Sequence, residues 1–75
     1  MATKQQEIDD PHSTWNKIGP DEPIFILRAQ DTIAPGTVRD WARGAKMRGA
    51  SVAKVHEAEA LADAMEEWPK RKDPD

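Results

Sequence analysis

Apolar residues in the second half of the chain recur with a helical period. Val38, Trp41, Ala42 and Ala45 follow i, i+3, i+4, i+7, and Val55, Ala58, Leu61, Ala62, Met65 and Trp68 repeat the pattern, so each set lines one face of a helix. The flanking residues set the boundaries. Ala34-Pro35-Gly36 places a proline early in the first helix, Gly49 is a natural stop, Ser51 is an N-cap, and Pro69 ends the second helix. The pattern predicts a mainly α protein, a small helical domain built on an α-helical hairpin of about 35–48 and 52–68. The Ala-rich second stripe suits close helix approach. Gly36 and Gly44 weaken the first helix by up to about 1 kcal/mol each relative to Ala, so Gly44 is expected to admit a neighbouring backbone or ligand.

Upstream, a short apolar segment within 22–30 is open to two readings. Asp21 as N-cap with Glu22 and Pro23 in the first turn describes a helix running through Leu27-Arg28-Ala29-Gln30. The β-branched and aromatic run Ile24-Phe25-Ile26 describes a strand instead. No second strand-like run is present, so the strand reading requires pairing across a subunit interface, and the helix is preferred. Residues 1–20 are polar and read as a flexible or docking N-terminal arm, 21–68 as a single small helical domain, and 69–75 as a disordered tail. Trp15, a lone indole in the polar arm, is expected to pack on its own domain.

Composition turns this fold towards assembly. The chain has 75 residues, three Trp, one Phe and no Tyr or Cys, so its core is marginal and no disulfide supports it. Self-association is the expected remedy. Ile24-Phe25-Ile26-Leu27 is the longest apolar run, far below the roughly 18–20 residues of a membrane span, and residues 1–20 carry no signal-type apolar stretch. A cytoplasmic protein is expected. The net charge of −3 hides a partition, with −3 in residues 1–23, +3 in 24–48 and −3 in 49–75. The acidic balance disfavours nucleic acid as a partner.

The local basic charge lies on a stripe. Arg39, Arg43 and Lys46 flank the apolar face of the first helix, and Glu59, Asp63 and Glu66 occupy the same flank of the second. In an antiparallel hairpin equal flanks meet, which predicts the ion pairs 39–66, 43–63 and 46–59. Left unpaired, the same stripe could hold an anion. Arg28, Gln30, Arg39, Trp41 and Arg43 form the candidate ligand-binding set, with Arg48 nearby, because guanidinium groups grip phosphate and an indole offers a stacking surface.

No catalytic pattern accompanies these residues. His56-Glu57 opens like H-E-x-x-H but has Ala60 where the second His would stand. The acid pairs Asp9/Asp10 and Glu66/Glu67 are adjacent in sequence and do not face one another on a helix, and no nucleophile elbow or phosphate loop occurs. The expectation is a non-enzymatic oligomeric binding protein without cofactor or metal. Its partners would be further copies of itself, with a small anionic nucleotide-like ligand or a host protein as candidates, and neither membrane nor nucleic acid. The alternative is an interaction module or structural accessory protein with no small-molecule ligand.

The stretch Asp21-Glu22-Pro23-Ile24-Phe25-Ile26-Leu27-Arg28-Ala29-Gln30-Asp31, followed by Ala34-Pro35 and Val38-Arg39-Asp40-Trp41-Ala42, resembles the centre of a group of small proteins encoded by tailed bacteriophages and prophages. The resemblance covers about residues 20–68 and includes no catalytic motif. It implies expression in the cytoplasm of a bacterial host and an accessory role during infection. In that setting small proteins counter host defence by sequestering a nucleotide signal within an oligomer, or by blocking a host protein surface.

Overall fold

The computed structural model describes residues 3–74, in which four helices follow in order: α1 (Lys4–Asp9), α2 (Thr14–Lys17), α3 (Ala34–Met47) and α4 (Val52–Glu66). The hairpin of α3 and α4 forms from the signals that predicted it. Pro35 sits in the first turn of α3, where its missing N–H costs nothing. At the other end Gly49 adopts φ +86°, and its N–H and that of Ala50 bond to Lys46 O (3.1 Å) and Ala45 O (3.0 Å), closing a Schellman cap. The Ser51 hydroxyl then accepts from Lys54 N at 3.2 Å and starts α4. α4 ends at Glu66, two residues short of the predicted end, because Trp68 precedes Pro69 and leaves the α conformation.

Between the helices the buried residues are Ala34, Val38, Ala42, Val55, Ala58, Ala62 and Met65, with Leu27, Ala29, Ala45 and Leu61 packed around them. Four of the seven are alanines. Small side chains let the helices approach closely, yet each buried methylene-sized group contributes only about 0.8 kcal/mol. Among the described residues no large side chain is fully buried.

The segment before α3 corrects the preferred reading. Residues 22–28 form no helix, and Asp21 caps nothing. The Glu22 N–H instead bonds to Gly19 O (3.1 Å) in a turn around Pro20. Downstream, Leu27 and Ala29 lean on the hairpin core while Ile26 and Arg28 face solvent, an alternation of two that a helix does not present. Within the single chain the segment is no strand either.

The tail is also placed differently from the disordered stretch expected at 69–75. Through residue 74 it lies against the entry to α3, with Asp75 outside the described residues. Lys72 N donates to Gln30 O (2.6 Å), Thr32 N to Lys72 O (3.0 Å), and the Thr32 hydroxyl to Asp73 Oδ1 (2.6 Å), so Asp31 and Lys72 form an isolated parallel bridge. Hydrogen bonds to a neighbouring segment hold the tail where its composition alone would leave it loose.

Residues 3–18 fold on themselves. Thr3 and Gln6 form a reciprocal capping box on α1, Ser13 caps α2, and the Asn16 amide donates to Asp10 O at 2.8 Å. Helix packing among the described residues is confined to α1 with α2 and α3 with α4. Trp15, expected to dock on the domain, remains 49% exposed.

Candidate binding surface

The two charged stripes meet on the predicted flank, and of the three predicted pairs the 39–66 pair forms while 43–63 and 46–59 do not. Arg39, on α3, reaches across the hairpin and donates to both Asp63 (2.8 Å) and Glu66 (2.5 Å) of α4. These hydrogen bonds, to Asp63 first and then to Glu66, raise its pKa above the ordinary guanidinium value. Arg43, expected opposite Asp63, turns back to Asp40 on its own helix at 2.9 Å. Lys46 and Glu59 make no ion pair among the described residues. One arginine takes both carboxylates because a single guanidinium nitrogen, Nη2, lies within reach of residues 63 and 66, which sit about one turn apart on α4.

This arrangement divides the candidate ligand-binding set. Arg39 and Arg43 already have carboxylate partners, and Trp41 is half-exposed on α3. Arg28 and Gln30 are brought together elsewhere, in a shallow cleft of about 270 Å³ between the 26–31 segment and the tail, with Ile26, Asp31, Lys72 and Asp73. Gly44, expected to admit a close neighbour, has nothing within 4 Å of where a Cβ would stand.

Within the cleft, several polar groups already have structural tasks. Asp31 Oδ1 accepts from Ile33 N (2.9 Å), and Asp31 O accepts from Ala34 N (3.0 Å), turning the chain into α3, whose N-cap residue, Ile33, offers no side-chain cap. The main chain of Gln30 receives the tail. The Arg28 side chain has no hydrogen bond or ion pair among the described residues and is exposed.

Sequence reasoning missed Arg71. Its guanidinium donates to Met65 O (3.0 Å) near the C-terminal end of α4 and to Asp31 O (3.3 Å) before α3, joining the two ends of the hairpin. The available signal was a cation just past a helix C-terminus, where unpaired carbonyls attract positive charge.

The largest unsatisfied feature is apolar. Phe25 is 86% exposed and Ile26 66%, with Ile24 half-exposed beside them. No backbone hydrogen bond within the described chain engages residues 23–27. The segment thus presents β-favouring side chains and free main-chain donors and acceptors together, the properties of an unpaired strand edge.

No family model, curated protein or solved structure matches this chain. Among the described residues there is no group of three or more His, Asp or Glu side chains that could hold a metal ion, and no helix is long and apolar enough to cross a membrane.

Proposed function

We propose that this protein is a non-enzymatic assembly and binding module that works by docking its 22–28 segment on another polypeptide. The observation that carries this reading is the coincidence, at Ile24-Phe25-Ile26, of exposed large apolar side chains with main chain that makes no hydrogen bond among the described residues. Either feature alone is common on protein surfaces. Together they favour burial against a partner, because pairing satisfies the backbone while removing apolar surface from water. The hairpin supports the reading by default: its alanine core is small, so further burial has to come from outside the chain. A bacterial host during phage infection is the setting that the sequence resemblance suggests, and an accessory role through protein contact fits a domain of this size.

A second reading keeps the anionic, nucleotide-like ligand, captured within an oligomer. Arg28 favours it, as a guanidinium without an ion pair among the described residues that lines a cleft together with Gln30. The ligand set is then Arg28 and Gln30, without Arg39 or Arg43. Native mass spectrometry of protein purified gently from the bacterial cytoplasm separates the two. An assembly with no retained small mass is the expected result. An assembly that releases a nucleotide-sized mass on denaturation supports the second reading, and a monomer that persists at high concentration overturns both.

A further inference from the structure

We propose that the partner of the 22–28 segment is the same segment of a second copy, paired antiparallel about a two-fold axis through Phe25. The proposal rests on the docking role given above and specifies its partner and register. In this register Glu22 faces the second copy's Arg28, Ile24 faces Ile26 and Phe25 faces Phe25. The two-fold axis repeats each unlike pair.

Three features of the chain select it. Charge is the first. Glu22 and Arg28 lie equally far from Phe25 on opposite sides, so one register creates two cross-strand ion pairs while matching apolar residues with apolar residues. Sliding the partner by one residue sets Glu22 opposite Ala29 in one direction and opposite Leu27 in the other. Availability is the second, because the Arg28 side chain has no hydrogen bond or ion pair among the described residues, and Glu22, whose carboxylate accepts only a 3.3 Å bond from Gly19 N among them, is exposed as Arg28 is.

Proline is the third. In an antiparallel ladder, hydrogen-bonded and non-hydrogen-bonded pairs alternate. If the Phe25 pair is non-hydrogen-bonded, Ile24 and Ile26 exchange four main-chain hydrogen bonds with their counterparts, and Pro23 falls at a position whose nitrogen points away from the partner. Proline is tolerated there. The N–H groups of Ile24 and Ile26 make no hydrogen bond among the described residues, whereas that of Glu22 is held by Gly19 O, which marks where the ladder ends. Non-hydrogen-bonded pairs also bring side chains closest, and that site is occupied by the most exposed of the large hydrophobic side chains described, Phe25 at 86%.

Two measurements on the full chain test this pairing. The first is a charge exchange read by sedimentation equilibrium. Glu22→Arg and Arg28→Glu each set two like-charged pairs across the axis and should weaken dimerisation by about tenfold. The double variant restores opposite charges and should return to within about threefold of the native constant. The second uses the absence of cysteine. Two cysteines replacing Phe25 would face each other at a Cα separation of about 4.5 Å, within disulfide range, so Phe25→Cys should cross-link under mild oxidation while Ala53→Cys, exposed on α4, should not.

Circular dichroism of each variant confirms that the hairpin is intact before the result is read. A dimer showing neither rescue nor selective cross-linking overturns the pairing but leaves a docking role on another surface. A chain that stays monomeric at several hundred micromolar overturns the pairing and self-assembly together. If Arg28 serves an anionic ligand instead, Arg28→Glu abolishes ligand retention and the added Glu22→Arg does not restore it.

Discussion

The α3–α4 hairpin and the 22–28 segment are both apolar, yet one is complete within the chain and the other is not. In the hairpin each apolar stripe faces the other, both helix ends at the turn are capped, and the flanking charges meet through Arg39. The 22–28 segment has larger and more apolar side chains than the alanines of the hairpin, but most of them face solvent, and the main chain of 23–27 makes no backbone hydrogen bond among the described residues. Side-chain hydrophobicity therefore does not decide where a core forms. A helix satisfies its own backbone and needs a partner only for one face, whereas an isolated strand needs a partner for its backbone as well.

The strongest way to break this contrast is to place a charge in each region. Ala62→Asp puts an unpaired carboxylate at a fully buried position, which should cost on the order of several kcal/mol and abolish most of the helical signal at 222 nm. Phe25→Asp changes a far larger apolar side chain, but an exposed one. The variant should keep the native helical signal, with monomer stability within about 0.5 kcal/mol, and lose self-association. Its melting temperature should no longer rise with protein concentration, unlike that of the native chain. Equal loss of helix in the two variants would erase the distinction.

Smaller changes sharpen it at the boundary between the regions. Thr32→Val removes the hydroxyl bond to Asp73 and should cost about 0.5–1 kcal/mol, seen as faster amide exchange at Thr32 and Lys72 with little change in α4. Uniform loss of protection would mean that the tail is integral to the hairpin. The smallest expected effect is a gain. Gly44→Ala fills open space in a helical backbone and should raise stability by about 0.4–1 kcal/mol, measured by urea denaturation, whereas Gly49, at φ +86°, should not tolerate the same change.

Much of the hairpin was legible because its signals are local. The period of the apolar residues, Pro35, Gly49 and Ser51 each act within a turn or two, and the structure uses all of them. The candidate site was less legible. Spacing placed the acidic and basic stripes on facing flanks, but it could not tell that Arg39 would take both Asp63 and Glu66, leaving Arg43 to Asp40. A long flexible side chain chooses among acceptors within reach by distances finer than helical phase. Arg28 and Gln30 share a cleft, as their nearness in sequence allows, whereas the placement of Arg39, Trp41 and Arg43 away from that cleft needed the fold.

By itself the sequence determined the two long helices, their caps, most of their apolar faces and the side on which opposite charges meet, since each follows from interactions among residues a few positions apart. Trp41 and Trp68, placed on those faces by spacing, stay about half exposed. Only the tertiary structure decided that 22–28 lies outside any helix and that the tail is held by Gln30, Thr32 and Asp31. The tertiary structure also decided that Phe25 faces water. Those outcomes depend on contacts between residues as many as 41 positions apart, such as Thr32 with Asp73, and no local propensity encodes such a meeting.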